Sequence, residues 1–277
     1  MIFAPSFAAT KVAVDGLGVA TSASIRLVTG GGILLLVSHR SWPLVRRYWR
    51  PLALLGATGM GVQTYAISIG IDAGTASLGA LILGLEPVCI ALFGALLLRE
   101  RPGGPTLAGL ALGLAGVVVV SGIVTVGASG TPLLAVVALA VTTVSFSIYA
   151  VRLPAFAHLV GGVAAAGASK LAGGLAIVPF TLLEVLRGTA VQDDARPSTI
   201  IGSAYLVLGQ TAIGYALFVY ALARLRPALL AIMLYALPPL AVLADWILID
   251  EQPHARDLVG GALILLGVAI GTRRARR

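Results

Sequence analysis

Residues 79–101, GALILGLEPVCIALFGALLLRER, form an apolar run with an acid, Glu86, in its interior. Between positions 75 and 98, Glu86 is the only residue of the Asp, Glu, Lys and Arg types. A helix over these positions would span about 36 Å at 1.5 Å per residue, which exceeds the ~30 Å hydrocarbon core of a bilayer. Since an acid at that depth costs roughly 2.5 kcal/mol or more, Glu86 indicates a functional site.

The composition of the whole chain agrees with a membrane protein. Of its 277 residues, 58% are hydrophobic and 11% are charged, whereas a soluble domain of this length needs more polar surface. The net charge of +8 is compatible with nucleic-acid binding, so the positions of the charges decide that question. Cys89 is the single cysteine, which excludes an intrachain disulfide and a cysteine metal site.

Hydropathy predicts an all-α integral membrane protein with ten transmembrane helices, because unpaired backbone groups cannot face lipid. The first segment has 13 residues and covers about 20 Å, so helix 1 is expected to be shortened. No basic region precedes it, which argues against a signal peptide. The segments lie at about 2–14, 19–38, 51–71, 75–98, 105–124, 131–151, 160–185, 200–221, 227–249 and 257–272.

Charges in the loops predict the orientation of the chain. With a cytoplasmic N-terminus, the outer loops contain three arginines and eight acids, among them Glu184 and Asp194. The inner loops and C-terminus contain thirteen arginines and one acid, Glu100. Both termini are therefore expected in the cytoplasm of a multi-pass plasma-membrane protein, and the positive charge reflects topology and not nucleic-acid binding. The inner arginines are Arg40, Arg46, Arg47, Arg50, Arg99, Arg101, Arg152, Arg224, Arg226, Arg273, Arg274, Arg276 and Arg277.

The chain contains an internal repeat. Residues 87–117 align without gaps to 238–268 at a constant offset of 151, with twelve identities. The informative identities pair Pro87 with Pro238, Glu100 with Glu251, Pro102 with Pro253, Gly109 with Gly260 and Gly116 with Gly267. Because five helices per copy is an odd number, residues 1–124 and 131–277 are predicted to be two five-helix repeats of opposite orientation. Inverted repeats are typical of secondary transporters.

These motifs resemble the drug/metabolite transporter superfamily, in its EamA-like branch with ten helices. The resemblance covers essentially the whole chain and is clearest in LGLEPVCIALFGALLLRER, LAGLALGLAGVVVV, GQTAIGYALFVYALARL and LPPLAVLADWILIDEQ. FAPSFAATK is similar to the family's opening, with Phe7 and Lys11 retained and Phe3 and Ala4 departing from it. SIRLVTGGGILL retains the helix 2 arginine as Arg26.

Two charged residues, Glu86 and Lys170, lie so far from the ends of their segments that their side chains cannot extend to the membrane interface without a large free-energy cost. Burial favours the neutral form of a carboxyl, so Glu86 could take up a proton on one side and release it on the other, with Lys170 as a second coupling residue. The alternatives are a buried ion pair between them, or a Glu86 that is permanently hydrogen-bonded to a neighbouring helix.

Two further charged residues are candidates for a gate, Lys11 and Arg26. Lys11 lies close to the outer end of helix 1, and its side chain could simply reach the interface. Arg26 lies roughly 10 Å from the outer end of helix 2, so an interfacial anchor is its alternative.

Prolines and polar side chains mark the predicted substrate path. Pro87 and Pro238 each leave a backbone carbonyl without its helical partner, and kinks at matching places in two halves point to a binding site, although simple bundle-shaping kinks are the alternative. The resemblance implies that helices 1, 3, 4, 6, 8 and 9 line the path. Each polar side chain could instead bond a neighbouring helix. These side chains are Ser6, Thr10, Gln63, Tyr65, Tyr149, Gln210, Tyr215 and Tyr235.

The predicted function is a secondary transporter that exports a small polar metabolite such as an amino acid, with proton coupling as an addition. The three histidines are assigned to separate loops and no carboxylate pair shares a site, so neither an enzyme nor a cofactor is expected. The expected partners are a small-molecule substrate, the lipid bilayer and protons, but not nucleic acid; a homodimer is left open. A membrane scaffold or a channel is the alternative function.

Overall fold

The computed structural model describes residues 3, 5–74, 83, 86–99, 103–121, 133–192, 196–222 and 255–272. Within these ranges the chain is helical, and its only strand-like pairing is an isolated bridge between Leu17 and Val191. The helices are α1 Ser6–Gly16, α2 Val19–Val37, α3 Trp49–Ala73, α4 Glu86–Leu98, α5 Gly104–Ser121, α6 Leu133–Val160, α7 Gly162–Leu186, α8 197–222 and α9 Ala255–Thr272.

Five of these helices, α2, α3, α6, α7 and α8, are long and apolar enough to cross a membrane. Many of their large apolar side chains are exposed on the outside of the bundle, where lipid would cover them. The prediction of an all-α membrane protein is therefore confirmed. The predicted ninth segment, 227–249, lies outside the described residues.

Two of the predicted loops differ from the structure. Helix α6 continues past residue 151 to Val160, so Arg152 and His158 lie on a helix and not in a loop. The segment after α2 forms a 3₁₀ turn and the short helix Trp42–Arg47. Hydropathy locates the apolar part of a helix and misses helical turns that extend into the polar region. Helix α6 continues through such turns and ends where the next residue, Gly161, adopts a φ of 89°.

Helices α2 and α7 pack closely because glycines lie between their backbones. A Cβ placed on Gly31 would lie 2.5 Å from the backbone nitrogen of Leu171, and one on Gly167 would lie 2.9 Å from that of Leu35. Small residues let membrane helices approach each other and gain van der Waals contact. This contact joins a helix of residues 1–124 to a helix of residues 131–277.

A second glycine contact joins α5 and α9. A Cβ on Gly116 would lie 2.6 Å from the carbonyl oxygen of Gly260, and one on Gly267 would lie 2.7 Å from that of Gly109. The helices therefore run antiparallel at this contact. At the repeat offset of 151, residue 109 corresponds to 260 and residue 116 to 267. Gly116 therefore contacts the equivalent of Gly109, and Gly109 contacts the equivalent of Gly116, as in a two-fold self-complementary interface.

Helices α3 and α8 each contain π-helical turns, at Gly56–Gly61 and Tyr205–Gly214 respectively. At the repeat offset of 151, residues 56–61 correspond to 207–212, which lie within the second segment. The π-helical turns of α3 lie where its backbone contacts α7, because a Cβ on Gly56 would lie 2.1 Å from the carbonyl oxygen of Ser169. Such turns inside α-helices occur frequently at functional sites.

At one end of the bundle, residues 16–18 pair with residues 190–192. The backbone nitrogen of Gly18 donates to the carbonyl of Ala190 at 3.0 Å, and that of Gln192 donates to the carbonyl of Gly16 at 3.1 Å. This pairing ties the α1–α2 connection to the segment that follows α7.

Glu184, near the end of α7, reinforces the same contact. Its carboxylate accepts hydrogen bonds of 2.8 Å from the backbone nitrogens of Ala20 and Thr21 and from the Thr21 hydroxyl. The carboxylate thereby satisfies donors at the start of α2, where the helix dipole also favours a negative charge. We refer to Glu184 together with residues 16–21 and 190–192 as the end clasp.

Candidate functional site

A cavity lies between α1, α2, α3, α4, α6 and α8. It holds about 610 Å³ of empty space, counting the part that is open to solvent. Its described lining consists of two charged residues, four neutral polar residues and a larger set of apolar and aromatic residues. The charged and polar ones are Arg26, Glu86, Ser6, Thr10, Gln63 and Gln210; the others are Phe3, Phe7, Ile67, Leu83, Phe146, Tyr215 and Phe218.

Arg26 brings a positive charge into this cavity. Only 5% of the residue is exposed, and its guanidinium donates through Nη2 to Gln210 Oε1 and through Nε to Thr211 Oγ1 at 3.4 Å. These bonds connect α2 to the π-helical part of α8. In the described structure the guanidinium is therefore bonded inside the bundle, whereas the alternative for this residue was an anchor at the membrane interface.

Glu86, the first described residue of α4, supplies the carboxylate. It is 8% exposed and lines the cavity, and its backbone carbonyl accepts a 3.5 Å hydrogen bond from Ser147 Oγ on α6. The ion pair with Lys170 that the sequence left open is not found among the described residues. The carboxylate therefore belongs to the wall of the cavity.

Lys170 lies behind the wall and does not line it. The residue is fully buried on α7, and its Nζ lies 3.1 Å from the ring centroid of Tyr215, with no hydrogen-bond partner in the described structure. The ring of Tyr215 also lines the cavity. An aromatic side chain thus stands between the ammonium group and the cavity, held by a cation–π contact.

Aromatic rings form one continuous side of the cavity. The Phe3 centroid lies 6.0 Å from that of Tyr215 and 6.5 Å from that of Phe218, in edge-to-face geometry. Phe218 in turn lies 5.6 Å from Tyr215 and 6.2 Å from Phe146. These four rings come from α6, α8 and the start of the chain, and we call them the aromatic wall.

Six of the predicted path residues line the cavity, and Arg26, predicted as part of a gate, joins them there. The six are Ser6, Thr10, Gln63, Glu86, Gln210 and Tyr215. Tyr235 and Pro238 lie outside the described residues.

Tyr149 and Tyr65 do not line the cavity. The Tyr149 hydroxyl lies 2.9 Å from Ser169 Oγ in the fully buried contact between α6 and α7. Tyr65 is half-buried and its ring stacks on Phe180, with centroids 5.2 Å apart. These contacts join neighbouring helices, as in the alternative that the sequence left open for any polar side chain in the bundle, and the path role of both tyrosines stays a prediction.

Two other predicted residues are also outside the lining. Lys11 forms an ion pair with Asp15 at 2.9 Å on a partly exposed face of α1. Pro87 is buried beside Glu86 on α4. The gate role of Lys11 and the path role of Pro87 remain predictions.

Sequence reasoning missed the aromatic wall and two polar partners. Phe3, Phe146 and Phe218 are apolar residues in apolar segments, so nothing in their spacing distinguishes a cavity from lipid. Thr211 follows Gln210 directly, but a threonine in an apolar segment gives no signal of its own. Glu184 was counted only as a loop charge.

Comparison with known proteins identifies the family. The model of the EamA-like transporter family matches residues 1–122 and 133–272. The chain belongs to the EamA-like transporter family. This confirms the resemblance seen in the sequence, and with the five candidate spans it makes the chain a multi-pass membrane transporter. A transporter of this family handles a small-molecule substrate and is surrounded by lipid.

Individual relatives of this EamA-like transporter cover nearly its full length. A "Probable terminal-alkyne amino-acid exporter" of Streptantibioticus cattleyicolor is 32% identical over 282 residues, 98% of this chain and 90% of the relative. An "Uncharacterized transporter" of Archaeoglobus fulgidus is 24% identical over 97% of this chain and 94% of its own length. A solved crystal structure with 25% identity superposes with a TM-score of 0.79, covering 100% of this chain and 94% of that one.

Within the described residues, no group of three or more His, Cys, Asp or Glu side chains could hold a metal ion. The described lining of the cavity supplies Arg26, Glu86, neutral hydrogen-bonding groups and aromatic faces.

Proposed function

We propose that this EamA-like transporter is a secondary active carrier that exports a small polar metabolite, such as an amino acid, across the plasma membrane by alternating access. The observation that carries the proposal is a cavity with buried charges of both signs inside a bundle of membrane-spanning helices. Charges within membrane spans are costly and are retained on substrate and ion paths. The name of the Streptantibioticus relative supports export of amino acids.

The architecture that we infer is ten helices in two inverted five-helix repeats, 1–124 and 131–277, with both termini in the cytoplasm. The reciprocal glycine contact between α5 and α9 supports this inference, because two-fold related helices would meet in that way. The π-helical turns in α3 and α8 support it independently, since they occupy equivalent positions at the repeat offset.

The described conformation fits a carrier that is closed on its outer side. In the inferred orientation, the start of α2 and the end of α7 face outward, so the end clasp seals that face by joining the two halves. Phe3, Phe7 and Phe218 lie toward the inner ends of α1 and α8 and border the cavity. Alternating access would require an opening of the outer contacts and a closure around the aromatic wall.

Proton coupling is assigned to Glu86, with Lys170 as a second group, as an extension of the carrier proposal. Glu86 lines the cavity, where either a proton or a substrate could reach it. Lys170 is separated from the cavity by the Tyr215 ring, so a movement of that ring would change its access to water. Arg26 is placed at the substrate path, and Lys11 retains its proposed role in a gate.

A counterflow assay with the purified protein in liposomes tests the carrier proposal. Vesicles loaded with an unlabelled amino acid should accumulate the labelled amino acid from outside, transiently and saturably, because a carrier exchanges one molecule for another. A channel would equilibrate the label without any stimulation by internal substrate, and a scaffold would give no uptake. Asp72→Asn, which neutralises an exposed carboxylate at the end of α3, is the matched control and should behave as wild type.

A further inference from the structure

Arg26 is a buried cation without an anionic partner in the described structure. Its two hydrogen bonds go to the neutral groups of Gln210 and Thr211, whereas a guanidinium carries five N–H donors. A buried charge is stable only when it is compensated, and a carboxylate is the geometrically matched partner for a guanidinium. The remaining donors and the open cavity therefore provide a place for the carboxylate of a ligand.

Glu86 is the complementary group on another wall. It is the only carboxylate among the described residues that line the cavity, and it lies on α4, while Arg26 lies on α2. A ligand that fills the cavity between these helices meets a cation on one side and an acid on the other. An ammonium group would compensate the carboxylate in the same way as a carboxylate compensates Arg26.

The rest of the lining restricts the remaining part of the ligand. The aromatic wall, together with Ile67 and Leu83, offers no further charged group in the described part of the cavity. An apolar substituent gains free energy when these rings remove it from water, whereas a second carboxylate or a guanidinium would lose its hydration without compensation.

We propose that the substrate is an α-amino acid with an uncharged, apolar side chain. Its carboxylate binds Arg26, its ammonium faces Glu86, and its side chain packs against the aromatic wall. This inference rests on the carrier function proposed above and names the substrate class of the same site. A simple amine would leave Arg26 uncompensated, and a simple carboxylic acid would leave Glu86 uncompensated.

Four small molecules test this assignment on the wild-type protein. L-propargylglycine carries both charged groups and an apolar alkyne side chain, and L-norvaline is its saturated counterpart. 4-Pentynoic acid lacks only the ammonium group, and 3-butyn-1-amine lacks only the carboxylate. We expect L-norvaline to inhibit counterflow of labelled L-propargylglycine with an affinity within about tenfold of its own. Each truncated molecule should inhibit at least about 100-fold more weakly, because it leaves one buried charge unpaired.

Variants at Arg26 test the same contact from the protein side. Arg26→Gln should weaken binding of L-propargylglycine at least about 100-fold, and Arg26→Lys should lose less because it retains the charge. Arg187→Gln makes the same change on the exposed surface and should bind as wild type. If Arg26→Gln does not fold, as judged by size-exclusion chromatography, the comparison of the four molecules on the wild type decides.

The outcomes separate this inference from the carrier proposal. If L-propargylglycine is exchanged and the truncated molecules inhibit as strongly as it does, the two-ended site is refuted while the carrier stands. If the wild type exchanges a metabolite of another class but no α-amino acid, the substrate class is wrong and the carrier again stands. Absence of counterflow with every solute tried would refute the carrier itself, and the substrate class with it.

Discussion

Replacing Gly31 with alanine would test the packing that joins the two halves of the chain. The new Cβ would lie 2.5 Å from the backbone nitrogen of Leu171 and 3.0 Å from the carbonyl oxygen of Gly167. Ordinary contacts of a Cβ begin near 3.4 Å, and neither neighbour is a flexible side chain, so α2 and α7 must move apart. Overpacking of this kind costs about 1–3 kcal/mol.

The next residue, Gly32, provides a matched control on the same helix. A Cβ on Gly32 would meet nothing within 4 Å. Gly32→Ala therefore gains only the helix propensity of alanine, up to about 1 kcal/mol. Because both changes gain the same helix propensity, the two variants, one position apart, are expected to differ by the overpacking cost alone, about 1–3 kcal/mol in the free energy of unfolding.

Thermal denaturation of the purified variants in one detergent measures this difference. The apparent melting temperature should be lower than wild type for Gly31→Ala, and equal or higher for Gly32→Ala. Equal melting temperatures for the two variants, or the reverse order, would show that α2 and α7 are not in backbone contact at this place.

Three further predictions concern the end clasp, coupling and the aromatic wall. Glu184→Ala should destabilise the protein by about 1–2 kcal/mol in the same thermal assay, because two backbone donors of α2 lose their acceptor; a melting temperature equal to that of wild type would contradict the clasp. Glu86→Gln should abolish transport driven by a pH gradient while counterflow at saturating substrate persists, and its coupling role is wrong if both activities are unchanged. Phe218→Ala should weaken binding of L-propargylglycine by about tenfold and that of glycine by no more than about twofold, because only the former buries a side chain against the ring; equal losses would argue against the proposed pose.

The membrane fold could be predicted from the sequence because hydropathy and length are local properties. Helices α2 and α7 begin and end within about two residues of the predicted segments. The family could also be predicted, because its motifs are contiguous stretches such as the one around Glu86. Where the apolar run and the helix have different ends, the prediction follows the apolar run. In α6 the predicted segment ends at residue 151, whereas the helix ends at Val160.

The lining of the cavity could be predicted only in part. Gln63 and Gln210 line it, whereas the hydroxyl of Tyr149 bonds to Ser169 between two helices. In a bundle surrounded by lipid, a polar side chain avoids lipid equally well in a cavity or against a neighbouring helix, so its residue type does not distinguish the two. The packing of α6 against α7 decides the outcome for Tyr149, and such packing depends on how whole helices meet and not on the residue type.

Glu184 shows a different limit of the sequence-based prediction. Counting loop charges treats every acid near a segment end as a solvated group. The carboxylate, however, accepts three hydrogen bonds from residues more than 160 positions away. Only the meeting of α2 with α7 reveals that function.

The orientation of the two halves is the claim on which the carrier mechanism depends, and cysteine labelling measures it directly. Arg40 and Val191 are repeat equivalents at the offset of 151, and both are exposed. In a Cys89→Ser background, a membrane-impermeant maleimide should label Val191→Cys in intact cells, and should label Arg40→Cys only after the membrane is permeabilised. Labelling of both cysteines in intact cells, or of neither until permeabilisation, would contradict the inverted repeat.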